Sequence, residues 1–339
     1  MESSELIKAI EEKVKFVNNS LETNIGWKNI YLRRADEIIA VMNSDKYLIQ
    51  PICFSKNLTF YTNHTKLTSH DDNTKEFDLR FLGQSVASII MRKIVINGVE
   101  EWSSYILTST KQDKSNKDFF GLNLSFPKEE LCVSDKAKQF FEFFNKSDNN
   151  TGHSPEHEIE NFLLKAFSVK KGSKKLLRNI QPVVIDNAYF QLITPFSASK
   201  SQHTFSSRYK GGGIDILGRI RTKDNQIALV VFELKDKYEN PQKVIQQAST
   251  YAAFLGNLLT EETFGEKWWK IFGYSRKPTK IKLIACTLMP KAAKPKKYLH
   301  GAEGFETKIN DKISLELHSL FFDKTNNVFL GSLKDLMKE

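Results

Sequence analysis

Asp215, Glu233 and Lys235 are the residues whose types and spacing best suit a reaction. Glu233 and Lys235 close the run Ala228-Leu229-Val230-Val231-Phe232-Glu233-Leu234-Lys235. Successive apolar positions are the pattern of a strand covered on both faces, so this run belongs in the middle of a sheet. Side chains alternate along a strand, which sets Val231, Glu233 and Lys235 on one face and Val230, Phe232 and Leu234 on the other. An acid and a base at the end of a buried strand are costly unless paired or bound to a metal. Asp215 follows three glycines at 211–213 and lies in a second apolar run, Ile214 to Ile220. The polar stretch Thr222-Lys223-Asp224-Asn225-Gln226 separates the two runs as a hairpin turn. The hairpin can thus bring a second carboxylate to Glu233. Two hard oxygen ligands suit Mg²⁺, with Mn²⁺ as its substitute, better than Zn²⁺, because Mg²⁺ takes one or two carboxylates and fills its other positions with waters or phosphate oxygens. The chemistry this set implies is attack of water on a phosphate, with Lys235 beside it.

Asp215 followed by Glu233-Leu234-Lys235 resembles the acid and E-x-K signature of the PD-(D/E)XK nuclease superfamily, which includes restriction endonucleases, junction resolvases and repair nucleases. Gln247-Ala248-Ser249-Thr250-Tyr251 adds a third match, since several branches carry Q-x-x-x-Y on the helix after the E-x-K strand. The ordered set G-x-I-D-I-L, V-V-F-E-L-K and Q-A-x-x-Y is most similar to the nuclease domains of mismatch-specific endonucleases. The resemblance covers the middle of the chain and nothing before residue 150. It implies a restriction-endonuclease-like α/β core, a mixed central sheet flanked by helices, in the order helix, strands, helix, strand. It also implies that Asp215 and Glu233, aided by the Leu234 carbonyl, hold the metal, while Lys235 orients water or balances charge. Many members carry a Glu on the helix before the first core strand. Glu156 fits that position best and Glu160 next, although acids at a helix start also favour its dipole.

These residues need a scaffold. Pro155 opens a helix over residues 156–167, with Ser154 as its cap and Ile159, Phe162, Leu163, Ala166 and Phe167 as its inward stripe. Pro182 to Thr194 reads as the first core strand. Pro241 opens a helix in which Val244, Gln247, Ala248, Tyr251 and Leu255 share a face. Gln247 then reaches the site, and Tyr251 either contacts a DNA strand or fills the interior. Trp268 and Trp269 read as packing at the end of that helix, Lys280 to Leu288 as a further strand and Ile313 to Phe322 as a last one. The glycines lack the G-x-x-x-x-G-K-[ST] pattern of a phosphate loop and read as a tight turn into the Asp215 strand.

A chain of 339 residues suggests two domains, and the polar, turn-rich stretch 147–155 divides it into 1–150 and 151–339. The first half reads as a β-rich α+β accessory domain that selects the target. An amphipathic helix spans 4–17 with a serine cap. Short β runs follow between Ile25 and Thr110: Tyr47–Cys53, Asn57–Thr62, Phe77–Leu82, Ser88–Ile96 and Ser103–Thr108. Asp36 and Glu37 read as a charged loop, and Lys128–Lys146 as a closing helix.

Composition narrows the partners. Hydrophobic residues at 40% and charged residues at 27% are ordinary for a globular chain. Fifty Lys and Arg against forty Asp and Glu, a net charge of +10, favour a polyanion such as DNA. Lys174 and Lys175, in a basic run, and Lys200, Arg208 and Lys210, in a Ser-rich loop with His203, are the candidate phosphate contacts. The three scattered cysteines argue against a disulfide framework or a zinc site and read as buried thiols. The start of the chain lacks the features of a leader, and no run has spanning length, so a cytoplasmic protein with no membrane partner is expected. The function implied is a Mg²⁺-dependent DNA endonuclease of restriction or defence type. A repair or mismatch nuclease and an inactive nucleic-acid-binding module stay open as alternatives, and a homodimer is expected where both strands are cut.

Overall fold

The computed structural model describes residues 2–43, 58–62, 74–81, 84–108, 123–127, 135, 139, 142, 155–167, 180–185, 188–198, 203–206, 211–278, 281–291, 299, 301–323, 325 and 328–338. Contacts divide the chain into two compact units, one of Met1–Asp36, Leu163–Val183 and Gln191–Glu339, the other of Glu37–Phe162 and Val184–Phe190. This division differs from a single boundary at residue 150, because the first 36 residues belong with the C-terminal half.

The chain opens with α1 (Ser3–Thr23) and α2 (Trp27–Asn43). Helix α1 continues six residues beyond the amphipathic stretch read from the sequence, because Leu21 extends the buried stripe of Leu6, Ile10, Val14 and Val17. Its start is set by Glu2 and not by a serine: the Glu5 carboxylate accepts the Glu2 amide at 3.1 Å. Helix α2 corrects the expectation of β structure and a charged loop after Ile25. Trp27, Tyr31, Ala35 and Ile38 are all buried, and their spacing of four, four and three is that of a helix face. Asp36 lies on this helix and pairs with Lys267 at 2.5 Å.

The second unit is built on a sheet of β1 (Leu58–Thr62), β2 (Thr74–Phe81), β3 (Gln84–Ile96), β4 (Val99–Thr108) and β5 (Asn123–Pro127), joined by two short strands described below. Strands β1 to β5 run antiparallel in sequence order, as expected of this half. Asn97 and Gly98 turn β3 into β4 with φ of 55° and 80°, the conformation of a tight two-residue hairpin. The strand read at Tyr47–Cys53 lies outside the described residues, as does most of the helix read at Lys128–Lys146.

Helix α3 (Pro155–Phe167) begins at its proline as the sequence predicts. Next come β6 (Ile180–Pro182), β7 (Val184–Ile185) and β8 (Ala188–Tyr189). The run Pro182–Thr194 is therefore not one strand. Pro182 pairs with Gly218 and the Val183 amide still donates to the Leu217 carbonyl at 2.9 Å, after which β7 and β8 fold back on each other, with β8 beside β1 in the second unit. A small hairpin of β9 (Phe196–Ala198) and β10 (His203–Phe205) follows.

The first unit centres on β11 (Ile216–Arg221), β12 (Ile227–Leu234), α4 (Pro241–Thr260), α5 (Gly265–Ile271), β13 (Ile281–Pro290), β14 (Glu306–Lys308), β15 (Ile313–Asp323), β16 (Val328–Leu330) and α6 (Ser332–Leu336). The sheet order is β14-β15-β13-β12-β11-β6, with β16 beside β15. Strands β6, β11 and β12 are antiparallel neighbours, whereas β12, β13 and β15 run parallel. A parallel step needs a crossover, and α4 with α5 supplies it between β12 and β13. Strand β12 is buried from Ala228 to Leu234, as its unbroken apolar run predicts. Helix α4 is buried on nearly every side, since the sheet covers one face and α1 another. Trp268 and Trp269 are fully buried packing residues. The architecture is mixed α/β, a seven-stranded mixed sheet flanked by helices. No helix among the described residues is long and apolar enough to cross a membrane.

Candidate functional site

The hairpin of β11 and β12 positions the first acid pair. Its turn closes through Thr222, whose amide and hydroxyl both donate to the Gln226 carbonyl, and through Asn225 in the left-handed region at φ 64°. The ladder runs to Ile216 opposite Phe232, so one step further Asp215 faces Glu233. The Asp215 carboxylate reaches across and its Oδ2 accepts the Leu234 amide at 2.8 Å. This bond pins Asp215 to the E-x-K segment. Lys235 turns back onto the same segment, its Nζ donating to Glu233 Oε1 at 2.8 Å and to the Leu234 carbonyl at 2.6 Å. The side chains of Lys235 and Glu233 are 12% and 7% exposed. Asp215, Glu233, Leu234 and Lys235 thus form one part-buried charged cluster.

Helix α4 brings the second set. Asn240 caps it by accepting the Gln242 amide at 3.0 Å, with Pro241 at the first helical position. Gln247 and Tyr251 stand one turn apart and hold the main chain of the same residue, Ala198. Gln247 Nε2 donates to the Ala198 carbonyl, and the Ala198 amide donates to the Tyr251 hydroxyl at 3.4 Å. Burial, and then the charges of Glu233 and Asp215, raise the Tyr251 phenol above its ordinary range, which keeps the hydroxyl protonated beside the carboxylates. Tyr251 is only 5% exposed. Its ring is interior, the packing role of the two that the sequence allowed.

The glycines serve this contact and not a tight turn. None of the three is among the residues with positive φ. A Cβ on Gly211 would overlap the Phe196 main chain, and one on Gly212 the Tyr251 hydroxyl. The segment 211–214 also hydrogen-bonds to 192–196 through Gly211 to Thr194, Gly212 to Phe196, Thr194 to Gly212 and Ile214 to Leu192. From α2, Tyr31 donates to the Ile193 carbonyl at 2.6 Å, and Arg34 lies over the Tyr31 ring. The segment that leads into Asp215 is thereby bonded to 192–196, which Tyr31 of α2 holds in turn.

Three residues near the cluster carry no motif. Thr287 is the cross-strand neighbour of Glu233 and Ser319 that of Thr287, so all three share a sheet face. The Thr287 and Ser319 hydroxyls and Gln247 Oε1 are buried without a hydrogen-bond partner. His203, on β10, is tied through Nδ1 to the Thr250 hydroxyl at 2.8 Å. That hydroxyl already donates to the Gln246 carbonyl, so it accepts the Nδ1 proton and the neutral ring keeps its lone pair on Nε2. Only register shows that Thr287 and Ser319 lie beside Glu233, so single-strand patterns had no means of finding them.

A divalent metal is a chemical fit for this donor set. Two carboxylates, the Leu234 carbonyl and the orphaned Thr287 hydroxyl are hard oxygens in one partly buried place. Among the described residues no group of three or more His, Cys, Asp and Glu gathers to hold a metal; a Mg²⁺ here would rest on two acids. The Lys235 ammonium takes the cationic place between Glu233 Oε1 and the Leu234 carbonyl, two oxygens assigned to the metal from the sequence.

Glu156 is part-buried in the first turn of α3, whereas Glu160, one turn on, is 4% exposed. The division between the units passes through this helix, between Phe162 and Leu163. Lys174, Lys175, Lys200, Arg208 and Lys210 lie outside the described residues. Cys286 is a buried free thiol, and burial raises its pKa further. No protein-family model, curated protein or solved structure matches this chain.

Proposed function

We propose that this protein is a Mg²⁺-dependent nuclease that hydrolyses phosphodiester bonds in DNA, with a restriction-endonuclease-like core. The observation that carries the reading is the convergence of Asp215, Glu233 and Lys235, which are up to 20 positions apart in sequence, at one end of a buried strand. The chain order within this sheet also supports it: after α3 come the antiparallel strands β6, β11 and β12, with β7 to β10 inserted between β6 and β11, and then the crossover through α4 and α5 to the parallel strand β13. An excess of ten positive charges suits a polyanionic substrate.

In this reading Asp215, Glu233 and the Leu234 carbonyl hold Mg²⁺. Bound Mg²⁺, or Mn²⁺ in its place, stabilises negative charge on the phosphate and lowers the pKa of the attacking water. The Leu234 amide fixes the rotamer of Asp215. Lys235 balances the carboxylates and orients the water. Gln247 and Tyr251 hold the β9 main chain against the site, and Lys174, Lys175, Lys200, Arg208 and Lys210 contact the DNA backbone. The second unit selects the target, as in a restriction or defence enzyme.

The test is incubation of wild type and Asp215→Ala with plasmid, linear duplex and mismatch-bearing duplex, in Mg²⁺ or EDTA. Wild type should cut only with the metal, and Asp215→Ala should lose at least about 100-fold, the scale of removing one preorganised electrostatic group. Metal-dependent cutting that survives Asp215→Ala overturns the site assignment. Cutting confined to the mismatch substrate assigns the protein to repair and not to defence.

A further inference from the structure

Four polar side chains join in one line on the face of β15 turned away from the Asp215 cluster. Ser319 shares its sheet face with Glu233, so by alternation Glu316 and His318 lie on the opposite face. The Lys282 ammonium, from β13, pairs with Glu316 Oε2 at 2.6 Å. Glu316 Oε1 meets His318 Nε2 at 2.8 Å, and His318 Nδ1 meets the Ser332 hydroxyl at 3.1 Å.

Every proton in this line has one place. Burial raises the Glu316 pKa, but the hydrogen bonds from His318 and Lys282 hold it below the ordinary value, so the carboxylate is ionised at neutral pH. An ionised carboxylate only accepts, which puts the ring proton on His318 Nε2 and the lone pair on Nδ1. The Ser319 amide donates to Ser332 Oγ at 3.1 Å. The Ser332 proton is then directed to His318 Nδ1.

The serine is also placed to react. Strand β16 ends at Leu330, Gly331 turns the chain, and Ser332 opens α6. A Cβ on Gly331, at φ 128°, would overlap the Ser319 carbonyl, so the glycine lets this turn approach β15 closely. A serine on a strand-to-helix turn, with a base beside it and a carboxylate orienting the base, is the arrangement of a serine nucleophile, here without the G-x-S-x-G pattern. Ser332 is partly exposed, whereas His318 and Glu316 are buried. Tying α6 to β15 needs only the Ser319 amide, and a buried imidazole and carboxylate behind the hydroxyl carry a desolvation cost that such a tie does not require.

We propose that Ser332 is a nucleophile activated by His318 as general base, and that it hydrolyses carboxylic esters. Its Oγ bonds to the acyl carbon while its proton passes to His318 Nδ1. The bond from the acyl carbon to the alcohol oxygen then breaks, and the alcohol leaves with that proton. Water attacks the acyl carbon and gives a proton to Nδ1, and the proton returns to Ser332 Oγ as the carboxylic acid departs. Glu316 and Lys282 are positioning residues that fix the tautomer and balance the charge. This inference does not depend on the nuclease reading.

Two reactions of the full chain test it: labelling by an alkyl fluorophosphonate, with the modified residue located by peptide mass spectrometry, and release of p-nitrophenol from p-nitrophenyl acetate. In wild type the phosphonyl group should sit on Ser332, and Ser332→Ala should lose both the label and the ester cleavage. His318→Gln should slow both reactions at least about 100-fold, the low end of general-base catalysis, while keeping the wild-type circular dichroism. Glu316→Gln should slow them as well, because a neutral amide no longer fixes the tautomer. A wild-type peptide map with no label on Ser332 overturns the proposal even if a variant fails to fold. Labelling that His318→Gln leaves unchanged, or ester cleavage that survives Ser332→Ala, overturns it too and leaves the line as a structural tie. Asp215→Ala should react like wild type, which separates failure here from failure of the nuclease reading.

Discussion

At the residue scale the cluster is a balance of a few charges, and Lys235 holds the balance. Its ammonium bridges Glu233 Oε1 and the Leu234 carbonyl. Lys235→Ala takes a positive charge from two carboxylates in a partly buried place. Stability should fall by an amount at or below the roughly 3–5 kcal/mol of breaking a fully buried pair. Millimolar Mg²⁺ should return part of the loss in urea melts, since a cation that binds only the folded state stabilises it. A loss indifferent to Mg²⁺ would count against a metal at these oxygens. His203 gives a second test. Burial, and then Lys13, lower its pKa from 6.5 to about 4. Between those values the unfolded chain binds a proton that the folded chain does not, so stability should fall as pH drops from 6.5 toward 4 and level off below. His203→Gln should flatten that part of the profile of Tm against pH.

At the element scale the sequence disclosed strands by their apolar runs but not every partner of those strands. The β11–β12 hairpin was readable because its turn is polar and its strands are apolar and β-branched. The E-x-K pair followed from a period of two. Helix α2 was missed because Ile30, Leu32 and the run Ile38-Ile39-Ala40-Val41-Met42 blur the stripe of Trp27, Tyr31, Ala35 and Ile38, and an apolar run of that length reads equally as a strand. The run Pro182–Thr194 was over-read, since one apolar stretch can serve two sheets: Pro182 and Val183 stay with β11, while β7 and β8 join the other sheet. The glycines show the limit most plainly: their number suggested a turn, yet what they admit is the Tyr251 hydroxyl and the Phe196 main chain. Gly212→Ala should therefore cost about 1–3 kcal/mol, the range of overpacking a filled site. In Tyr251→Phe, which removes the clashing oxygen, Gly212→Ala should cost clearly less. Equal costs in both backgrounds, from a double-mutant cycle in urea, would refute the contact.

At the scale of the whole molecule the first 36 residues belong to the unit that carries the cluster. Helix α1 buries Leu6, Ile10, Val14, Val17 and Leu21, and Asn18 bonds both the Ile309 carbonyl at 2.9 Å and Asn257 at 2.8 Å. Five buried aliphatic side chains at roughly 1.5–3 kcal/mol each rival the 5–15 kcal/mol net stability of a typical domain. A chain beginning at residue 37 should consequently lose cooperative unfolding, and one cut near residue 150 should not yield a folded catalytic unit. A sharp thermal transition from residues 151–339 alone would contradict this.

The sequence by itself determined what depends on near neighbours along the chain: the buried β12, the hairpin before it, the proline-started helices α3 and α4, and the acid and lysine projecting from one strand end. Those features follow from periodicity and backbone chemistry, which are local. Tertiary structure decided that Asp215 faces Glu233, that Gln247 and Tyr251 grip Ala198, that Thr287 and Ser319 lie in the same row, and that α1 covers α4. Each of these depends on register between strands or on which surface a helix meets. Such pairings follow from the free energy of the whole core, which no short stretch of sequence contains.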